Sequence, residues 1–400
     1  TQVKSAQLVQ DIARYLPLHD AFALQQVNLP KPNMAVLAKL RKQQQDMAIY
    51  LHVNEKYNGA VSSIDVLLYD LRSSALFAEP TSLFSIEIAD GSLQQFAQVC
   101  ADNIYEKVFN HPGLFTTKIA FVTKRSHSGM QPIYQLEVAD VDGKNAHAIV
   151  QSYQPILSPA WSPDGTNIAY VSLENTLSSI YVQSLADGKR RKITTSHVVA
   201  SAPSWSSDGA KLAFALGQNG DSHLYEYTLA DGYLAQLTDI SALDNEPVWS
   251  DHDAYLYFTS NRGGASQVYR YDNNQKTVER VTFAGDYNLA PAKRPDSQSI
   301  ALVQSAHGLL SLKTFDLETG QWHTLTHDGT EESPVFAPNG KYVMFASYYG
   351  GRSVLNMVST DGAVRWRLPF LQGDVFDVAW SPVLAQANVR VFDTGNEEGV

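Results

Sequence analysis

The stretch FDVAWSPVL, at residues 376–384, decides the fold, because it is the last copy of a segment that recurs along the chain. The earlier copies are SPAWSPDG, SAPSWSSDG, NEPVWSDHD, LAPAKRPDS and ESPVFAPNG. Successive anchor residues are separated by 44, 44, 44, 43 and 44 positions, and they are Trp161, Trp205, Trp249, Lys293, Phe336 and Trp380. A period this even, and of this length, is typical of the blades of a β-propeller.

The residues between successive copies have the pattern of short β-strands. Runs such as NIAYVS, KLAFAL and YLYFTS come first, followed by runs such as SIYVQSL and HLYEYTL, and a short run such as RKIT or AQLT ends each repeat. Pairs such as Asp187-Gly188 and Asp231-Gly232 separate the last two runs and supply the positive φ of a tight hairpin. With the recurring segment, each repeat contains four strands, which is one blade.

The strand count leaves one incomplete repeat at each end of the repeat region. Residues 118–152 have the three later strands of a blade without a preceding segment, and FDVAWSPVL has no later strands. We therefore predict that residues 378–380 pair with residues 119–122, so that the C-terminal strand completes the first blade and closes the ring. The predicted fold class is all-β: a six-bladed propeller of four-stranded blades with an N-terminal α/β domain.

The remaining residues divide into an N-terminal domain and a tail. Residues 1–116 contain two amphipathic helices, VKSAQLVQDIARYL and MAVLAKLRKQQQ, three strands, and a helix around Cys100. The propeller occupies residues 117–382, and residues 383–400 form a C-terminal tail. Its NVRVFD alternates like a strand, so one hypothesis pairs it with the α/β domain, whereas a loose tail is the ordinary expectation for a terminus.

The composition excludes several classes of function. A net charge of -11 and a pI near 5.4 argue against a nucleic-acid partner, whose phosphates require a basic face. The sequence contains no run of eighteen apolar residues, so no membrane span is expected. It also lacks a Gly-x-Ser-x-Gly elbow, a His-Glu-x-x-His motif and a phosphate-binding loop. These absences favour a binding module over an enzyme.

The topology of a blade predicts where binding occurs. Connections from the outermost strand of one blade to the innermost strand of the next share a face with the loops between second and third strands. These loops are long, whereas the opposite face carries the tight Ser-Pro-Asp-Gly and Asp-Gly turns. Acidic and amide residues of the long-loop face are predicted to meet at the mouth of the channel, namely Asp244, Asn245, Glu246, Asp286, Glu331, Glu332, Asp374 and Asp377. Such a mouth suits a basic or hydrogen-bonding partner, or a cation, although each acid alone is equally consistent with a solvated turn.

Several stretches resemble one known family. SPAWSPDGTNIAYVS, KLAFAL, SVLNMVSTDG and the terminal AWSP are similar to the TolB family, the periplasmic propellers of the Tol-Pal system of Gram-negative bacteria. The resemblance covers about residues 115–382, and the α/β domain more weakly. It implies a periplasmic, non-enzymatic protein that binds the lipoprotein Pal and supports outer-membrane integrity and cell division. By this resemblance, we expect the family's TolA-binding segment and its first α/β strand to be missing from this chain, and the chain to begin in the first helix.

The resemblance also implies that Pal docks on the long-loop face. TolB proteins often have a His-Asn-Gly run where this chain has Val199-Ala200-Ser201, and a Thr-Glu pair where it has Asn245-Glu246. With the loop residues above, the predicted partner-binding set is Val199, Ala200, Ser201, Ala202, Asp244, Asn245, Glu246, Asp286, Asn288, Glu331 and Glu332.

Two other functions compete with this interpretation. A propeller that binds a small ligand or a cation would use the acidic mouth, with the cation in the central channel. A regulatory propeller of a hydrolase would need an α/β-hydrolase domain with a nucleophile elbow, which no segment supplies. We expect a monomer without a cofactor.

Overall fold

The computed structural model describes residues 8, 10–12, 47–55, 61–70, 81–88, 93–126, 129–175, 177–194, 199–295, 297–368, 373–384 and 389–392. The chain divides into two compact units, one of Thr1–Thr116 with Ala385–Val400 and one of Thr117–Leu384. Within the described residues, 28 strands form seven four-stranded sheets, of which one belongs to the first unit and six to the second.

The first unit contains one antiparallel sheet and the helix α1 (Leu93–Phe109). The sheet order is β1-β2-β3-β28, and the strands are β1 (Met47–Glu55), β2 (Val61–Asp70), β3 (Thr81–Ile88) and β28 (Val389–Phe392). The three predicted strands and the helix around Cys100 are confirmed. Residues 8 and 10–12 of the first predicted helix are helical, and MAVLAKLRKQQQ lies outside the described residues.

The expectation of a loose C-terminal tail is wrong for residues 389–392. This segment pairs antiparallel with β3, with Val389 opposite Ile88 and Phe392 opposite Ser85. The alternation of NVRVFD therefore reflects a strand that forms hydrogen bonds with a neighbour some three hundred residues earlier in the chain.

The six sheets of the second unit are the blades of a propeller. The first blade, from the axis outward, consists of β27 (Asp374–Trp380), β4 (Lys118–Arg125), β5 (Ile133–Asp140) and β6 (His147–Ser152). The second consists of β7 (Ile156–Trp161), β8 (Asn167–Asn175), β9 (Leu177–Ser184) and β10 (Arg190–Lys192). The third consists of β11 (Val199–Trp205), β12 (Lys211–Gln218), β13 (Asp221–Thr228) and β14 (Leu234–Gln236).

The other three blades repeat this order. The fourth consists of β15 (Asp244–Trp249), β16 (Tyr255–Ser260), β17 (Gln267–Asp272) and β18 (Val278–Arg280). The fifth consists of β19 (Tyr287–Lys293), β20 (Ser299–Ala306), β21 (Leu309–Asp316) and β22 (Trp322–Thr324). The sixth consists of β23 (Glu332–Phe336), β24 (Tyr342–Tyr349), β25 (Arg352–Ser359) and β26 (Arg365–Arg367).

The predicted closure of the ring is confirmed. In β27, Val378 lies opposite Phe121, Ala379 opposite Ala120 and Trp380 opposite Ile119 of β4. The Trp380 indole Nε1–H donates to Thr117 Oγ1 at 2.8 Å, in a buried position. The last strand is thereby bonded both along its backbone and through its anchor side chain.

Apolar packing joins consecutive blades from the first to the sixth. One buried cluster combines Val122 and Leu136 of the first blade with Trp161 and Tyr170 of the second. Further clusters join the second blade to the third, the third to the fourth, the fourth to the fifth and the fifth to the sixth. Because each cluster takes side chains from two blades, a blade with a missing neighbour would expose part of its core to water.

A repeated threonine holds the outermost strands and the start of each long connection. Thr194, Thr238, Thr282 and Thr326 end the short runs RKIT, AQLT, ERVT and HTLT. Each hydroxyl accepts a hydrogen bond from a backbone N–H of the neighbouring third strand, at 2.9 to 3.2 Å. This bond fixes the point at which four of the long connections leave their blades.

In the first unit, a carboxylate fixes the segment that follows α1. Asp102 accepts hydrogen bonds from the N–H of Phe115 at 2.7 Å and from the N–H and hydroxyl of Thr116 at 2.9 and 2.6 Å. The backbone at Gly113 approaches so closely that a Cβ there would lie 2.1 Å from Asp102 Oδ1. Burial outweighs the three hydrogen bonds and, with Glu106 nearby, raises the pKa of Asp102 to about 6.

The closure predicts a large cost for losing the last anchor. Replacing Trp380 with Ala removes a buried indole and its hydrogen bond, so we expect the free energy of unfolding to fall by about 3–5 kcal/mol in urea titrations. Val383→Ala, which truncates a half-exposed side chain three residues later, should change it by less than about 0.5 kcal/mol. Equal effects of the two substitutions would contradict the role assigned to β27.

The raised pKa of Asp102 predicts a pH-dependent contribution to stability. Because the folded pKa lies above the usual 3.8, folding favours the protonated carboxyl, and this contribution is lost as pH rises from about 4 through 6. The stability advantage of the unaltered protein over Asp102→Asn should therefore shrink by about 2 kcal/mol between pH 4 and pH 7. Urea unfolding of both proteins at each pH measures it, and a difference independent of pH would refute the assignment.

Candidate functional site

The innermost strands share a bulge close to the end at which they begin. In each blade the register with the second strand shifts at one residue with a left-handed backbone, and these residues are Ser158, Ala202, Glu246, Ala290, Ser333 and Asp377. Their φ values lie between 34 and 54°. A bulge redirects the side chains that precede it, so it decides which residues at the beginning of each strand face the solvent.

Two bulge acids connect neighbouring blades. Asp377 of the first blade accepts hydrogen bonds from Ser158 N–H of the second blade at 2.8 Å and from the Ser333 hydroxyl of the sixth at 2.9 Å. Glu246 Oε2 of the fourth blade accepts from Thr259 Oγ1–H at 2.7 Å and from Ala290 N–H of the fifth at 2.8 Å. These two carboxylates, which belong to the set predicted at the channel mouth, therefore connect neighbouring blades of the ring.

The residue two positions before each bulge is buried in every blade. It is apolar in three blades and polar in the other three, and these residues are Val375, Ile156, Ala200, Asp244, Asn288 and Glu331. Three polar members of the predicted partner-binding set, and Ala200, therefore point away from solvent. Asp244, Asn288 and Glu331 therefore do not have their polar groups at the surface of this face.

Asp244 instead forms a buried ion pair with a residue of its own blade. Its Oδ2 lies 2.7 Å from Arg262 Nη2, and both side chains are almost fully buried. The Arg262 guanidinium also lies over the rings of Phe258 and Tyr269, at 5.3 and 5.4 Å from their centres. The pair fixes the loop between the second and third strands of the fourth blade.

Asn288 and Glu331 hold the connections in which they occur. The Asn288 amide donates to Gln267 Oε1 at 2.7 Å and to Ala284 O at 2.8 Å. Glu331 accepts from the Thr326 hydroxyl and from the backbone N–H groups of Asp328 and Thr330, the latter two at 2.9 Å. Both side chains thus form hydrogen bonds with buried loop groups that would otherwise have no partner.

The other predicted residues lie at or near the surface of the long-loop face. Val199, Asp286 and Glu332 are exposed. Ala202, Ser201 and Asn245 are partly buried, and the Ser201 hydroxyl donates to Asn245 Oδ1 of the next blade at 2.7 Å. The structure therefore brings together a small set of accessible polar groups, not a ring of free carboxylates.

The long connections are fixed to the hairpins beside them. Leu243 N–H donates to Asn261 Oδ1 of the fourth blade at 2.7 Å, and Ala242 O accepts from Ser222 N–H of the third at 2.9 Å. In the next connection, the Asp286 N–H donates to a backbone carbonyl of the fifth blade, and the Asn288 N–H donates to a backbone carbonyl of the fourth. Connections anchored on both sides form a preorganised surface, which lowers the entropic cost of binding.

Exposed apolar side chains are concentrated on this face, and sequence reasoning identified only Val199 among them. Thirteen large apolar side chains are exposed in the described part of the chain, and ten of them lie on the long connections or hairpins of this face. These are Met130, Tyr153, Leu157, Val199, Ile240, Leu243, Phe283, Leu309, Tyr348 and Tyr349. An apolar residue within a polar loop, such as Phe283 in TFAGDY, is the sequence signal that could have identified them.

The opposite face carries tight turns, and the acidic side chains in these turns accept hydrogen bonds from residues of the same turn. The Ser162 hydroxyl donates to Asp164 at 2.5 Å, and the Ser206 hydroxyl donates to Asp208 at 2.7 Å. These bonds hold the pKa of both carboxyls below the usual value. The recurring Ser-x-Asp-Gly is therefore an architectural turn.

Among the described residues, no group of three or more His, Cys, Asp or Glu side chains is arranged to hold a metal ion.

Comparison with known proteins gives a consistent family. A family model described as the TolB beta propeller domain matches residues 105–384. The Tol-Pal system protein TolB of Xylella fastidiosa is 54% identical over 294 residues, which are 73% of this chain and 66% of that protein. The protein of the same name from Xanthomonas campestris is 54% identical over 293 residues, with the same shares. The chain thus matches slightly less than two thirds of the length of these relatives.

A solved structure extends the likeness to both units. The crystal structure of TolB from Acinetobacter baumannii superposes with a TM-score of 0.83 at 31% identity, over 94% of this chain and 93% of that one.

Two adjacent glutamates test the division between buried and exposed acids. Glu331→Ala leaves two loop N–H groups and a buried hydroxyl without their acceptor, so we expect a loss of about 2–4 kcal/mol in the free energy of unfolding. Glu332→Ala removes an exposed side chain of the same type and should cost less than about 0.5 kcal/mol. Similar losses for both in chemical denaturation would contradict the assignment.

Proposed function

Because the chain belongs to the TolB β-propeller family, we propose that it is a non-enzymatic scaffold of the Tol-Pal system that binds the lipoprotein Pal through its long-loop face. The membership rests on the family model and on the relatives described above. In this proposal the protein works in the periplasm without a bound cofactor, as a monomer, and supports outer-membrane integrity and cell division.

The single observation that supports the proposed surface is the concentration of exposed apolar side chains on one face. Monomeric proteins rarely keep many such side chains together unless a partner covers them. Ten of the thirteen in the described residues lie on the long-loop face, whereas Tyr233, Leu234 and Val383 lie elsewhere. The anchored connections add the preorganisation that protein-binding surfaces with little backbone movement have in common.

The polar groups of this face are better placed to orient a partner than to supply most of the binding free energy. Glu332 and Asp286 are exposed acids that can accept hydrogen bonds from a basic or amide-bearing partner. Ser201 and Asn245 are bonded to each other across two blades, so they present a fixed pair of polar atoms next to the channel. We propose that apolar contacts supply most of the affinity and that these polar groups set the orientation of Pal.

None of the helices among the described residues combines the length and the apolar character that crossing a membrane requires.

A matched pair of valines tests the proposed face. Val199 on this face and Val383 on the opposite face are exposed to 51% and 53%. Placing a charge at the centre of an interface should weaken binding, so Val199→Asp should bind the periplasmic domain of Pal about tenfold or more weakly than the unaltered protein. Val383→Asp makes the same change of charge and should bind normally in calorimetric titrations.

Two results would count against this proposal. The unaltered protein failing to bind Pal at tens of micromolar would refute Pal as the partner. Binding that Val383→Asp weakens and Val199→Asp leaves unchanged would place the site on the opposite face.

A further inference from the structure

A cleft with a volume of about 530 Å³ lies on the tight-turn face of the propeller, between the second and third blades. This volume falls within the range of small-ligand sites, about 300 to 1,000 Å³. The walls of the cleft are the turns that follow β7 and β11, the hairpin between β9 and β10, and the chain just after β13. The cleft is therefore separate from the long-loop face.

The cleft is open because the second blade has a glycine where the last repeat has a leucine. Leu384 and Gly165 each follow their anchor residues, Trp380 and Trp161, by four positions. A Cβ on Gly165 would lie 2.4 Å from Leu384 Cδ2, so this leucine covers the boundary between the first and second blades. Gly165 has no side chain that could cover the next boundary in the same way, and the equivalent glycine there, Gly209, lines the cleft.

Charged side chains bridge the turns at the two boundaries that follow. Asp253 of the fourth blade accepts hydrogen bonds from the Ser207 N–H of the third at 2.9 and 3.1 Å. Lys293 Nζ of the fifth blade lies 2.9 Å from Asp251 Oδ2 of the fourth. Among the described residues, no such polar bridge joins the turns of the second and third blades, so a ligand can enter between them.

Trp205 forms an aromatic wall of the cleft. The anchors Trp161, Trp249 and Trp380 are only 6 to 8% exposed, whereas Trp205 is partly buried and lines the cleft. Its Nε1–H donates to Ala160 O at 3.0 Å, which fixes the ring. A fixed indole offers a flat apolar surface against which a ring of similar size can pack.

Two cations of the lining are available to a ligand. Arg191 extends from β10 to the third blade, where its two Nη atoms donate to Leu229 O at 3.3 and 3.4 Å. These distances are long for hydrogen bonds, and a guanidinium has five N–H donors. Lys189 pairs with Asp187 in an exposed contact, which contributes little. A carboxylate of a ligand can therefore bind between these cations.

The lining also contains acceptors for hydroxyl groups. Asp208 Oδ1 accepts from the Ser206 hydroxyl at 2.7 Å and from the Ala210 N–H at 2.9 Å, whereas Oδ2 accepts no hydrogen bond from a described residue. Asp164 lies in the same lining. Two carboxylates repel a multiply charged phosphate, so they favour a ligand that brings hydroxyl donors and a single negative charge per unit.

We propose that this cleft binds an acidic oligosaccharide, which goes beyond the proposed function and does not depend on it. The C–H face of one sugar ring packs on Trp205, a hydroxyl donates to Asp208, and a carboxylate substituent pairs with Arg191. Eight of the thirteen lining residues are polar or charged, so a polyhydroxylated ring satisfies more of them than an apolar peptide side chain does.

Calorimetric titration with three probes tests the class of ligand. A hyaluronan tetrasaccharide carries carboxylates, chitotetraose is an uncharged oligosaccharide of the same length, and tetraglutamate is an acidic peptide without sugar rings. We expect a Kd below about 1 mM for the hyaluronan tetrasaccharide. Chitotetraose should bind at least about tenfold more weakly, because it lacks the bond to the guanidinium, and tetraglutamate should not bind.

Two adjacent cations provide a matched pair of variants. Arg191→Gln should weaken binding of the hyaluronan tetrasaccharide about tenfold and leave that of chitotetraose unchanged. Lys192→Gln removes the same charge from an exposed residue outside the lining, so it should change the Kd by less than about twofold. Trp205→Leu should weaken both oligosaccharides, and Arg191→Gln decides the matter if this variant unfolds.

Three results would overturn the proposal. The first is that neither oligosaccharide binds the unaltered protein at about 5 mM. The second is that tetraglutamate binds as tightly as the hyaluronan tetrasaccharide, which would indicate a site for acidic peptides. The third is that Lys192→Gln weakens binding as much as Arg191→Gln does, which would indicate long-range attraction without a defined site. Binding of Pal tests the proposed function separately.

Discussion

The pairing of β27 with β4 is the constraint on which the rest of the structure depends. It joins two strands separated by roughly 250 residues and brings the sixth blade against the first. Each described cluster of apolar side chains takes residues from two adjacent blades, so the blades joined in this way bury their cores against each other. The bulge acid Asp377 adds polar bonds at the same point, because it reaches the second and sixth blades from the first.

This constraint also explains the character of the candidate site. Closing the ring crowds six bulges around the channel, and the polar side chains there bond to neighbouring backbone groups that cannot reach water. Glu246, Asn288 and Glu331 are accordingly part of the scaffold. The surface available to a partner consists of the remaining groups, and these include the exposed apolar side chains on the anchored connections and hairpins.

Much of the fold could be predicted from the sequence, because a period of about 44 residues and an unpaired last segment allow one closed arrangement. The candidate site could be predicted only as a face. Reading an acid in a loop as exposed failed at Asp244 and Glu331, because the bulge that follows them changes the alternation of inward and outward residues. The partner of NVRVFD could not be derived from the alternation alone, because pairing with β3 depends on contacts between distant segments. Phe283 and Tyr348 were overlooked because a single apolar residue in a turn is ordinary in a sequence, and its significance comes from the other blades.

Amide hydrogen exchange of the free protein, resolved along the chain by mass spectrometry, tests the closure most directly. If β27 is an integral strand of the first blade, peptides covering 376–380 and 119–122 should exchange slowly, at rates matching those of the innermost and second strands of the other five blades. Fast exchange of 376–380 with slow exchange in the other innermost strands would show that the ring is open at this point. That result would contradict both the fold and the rigid long-loop face derived from it.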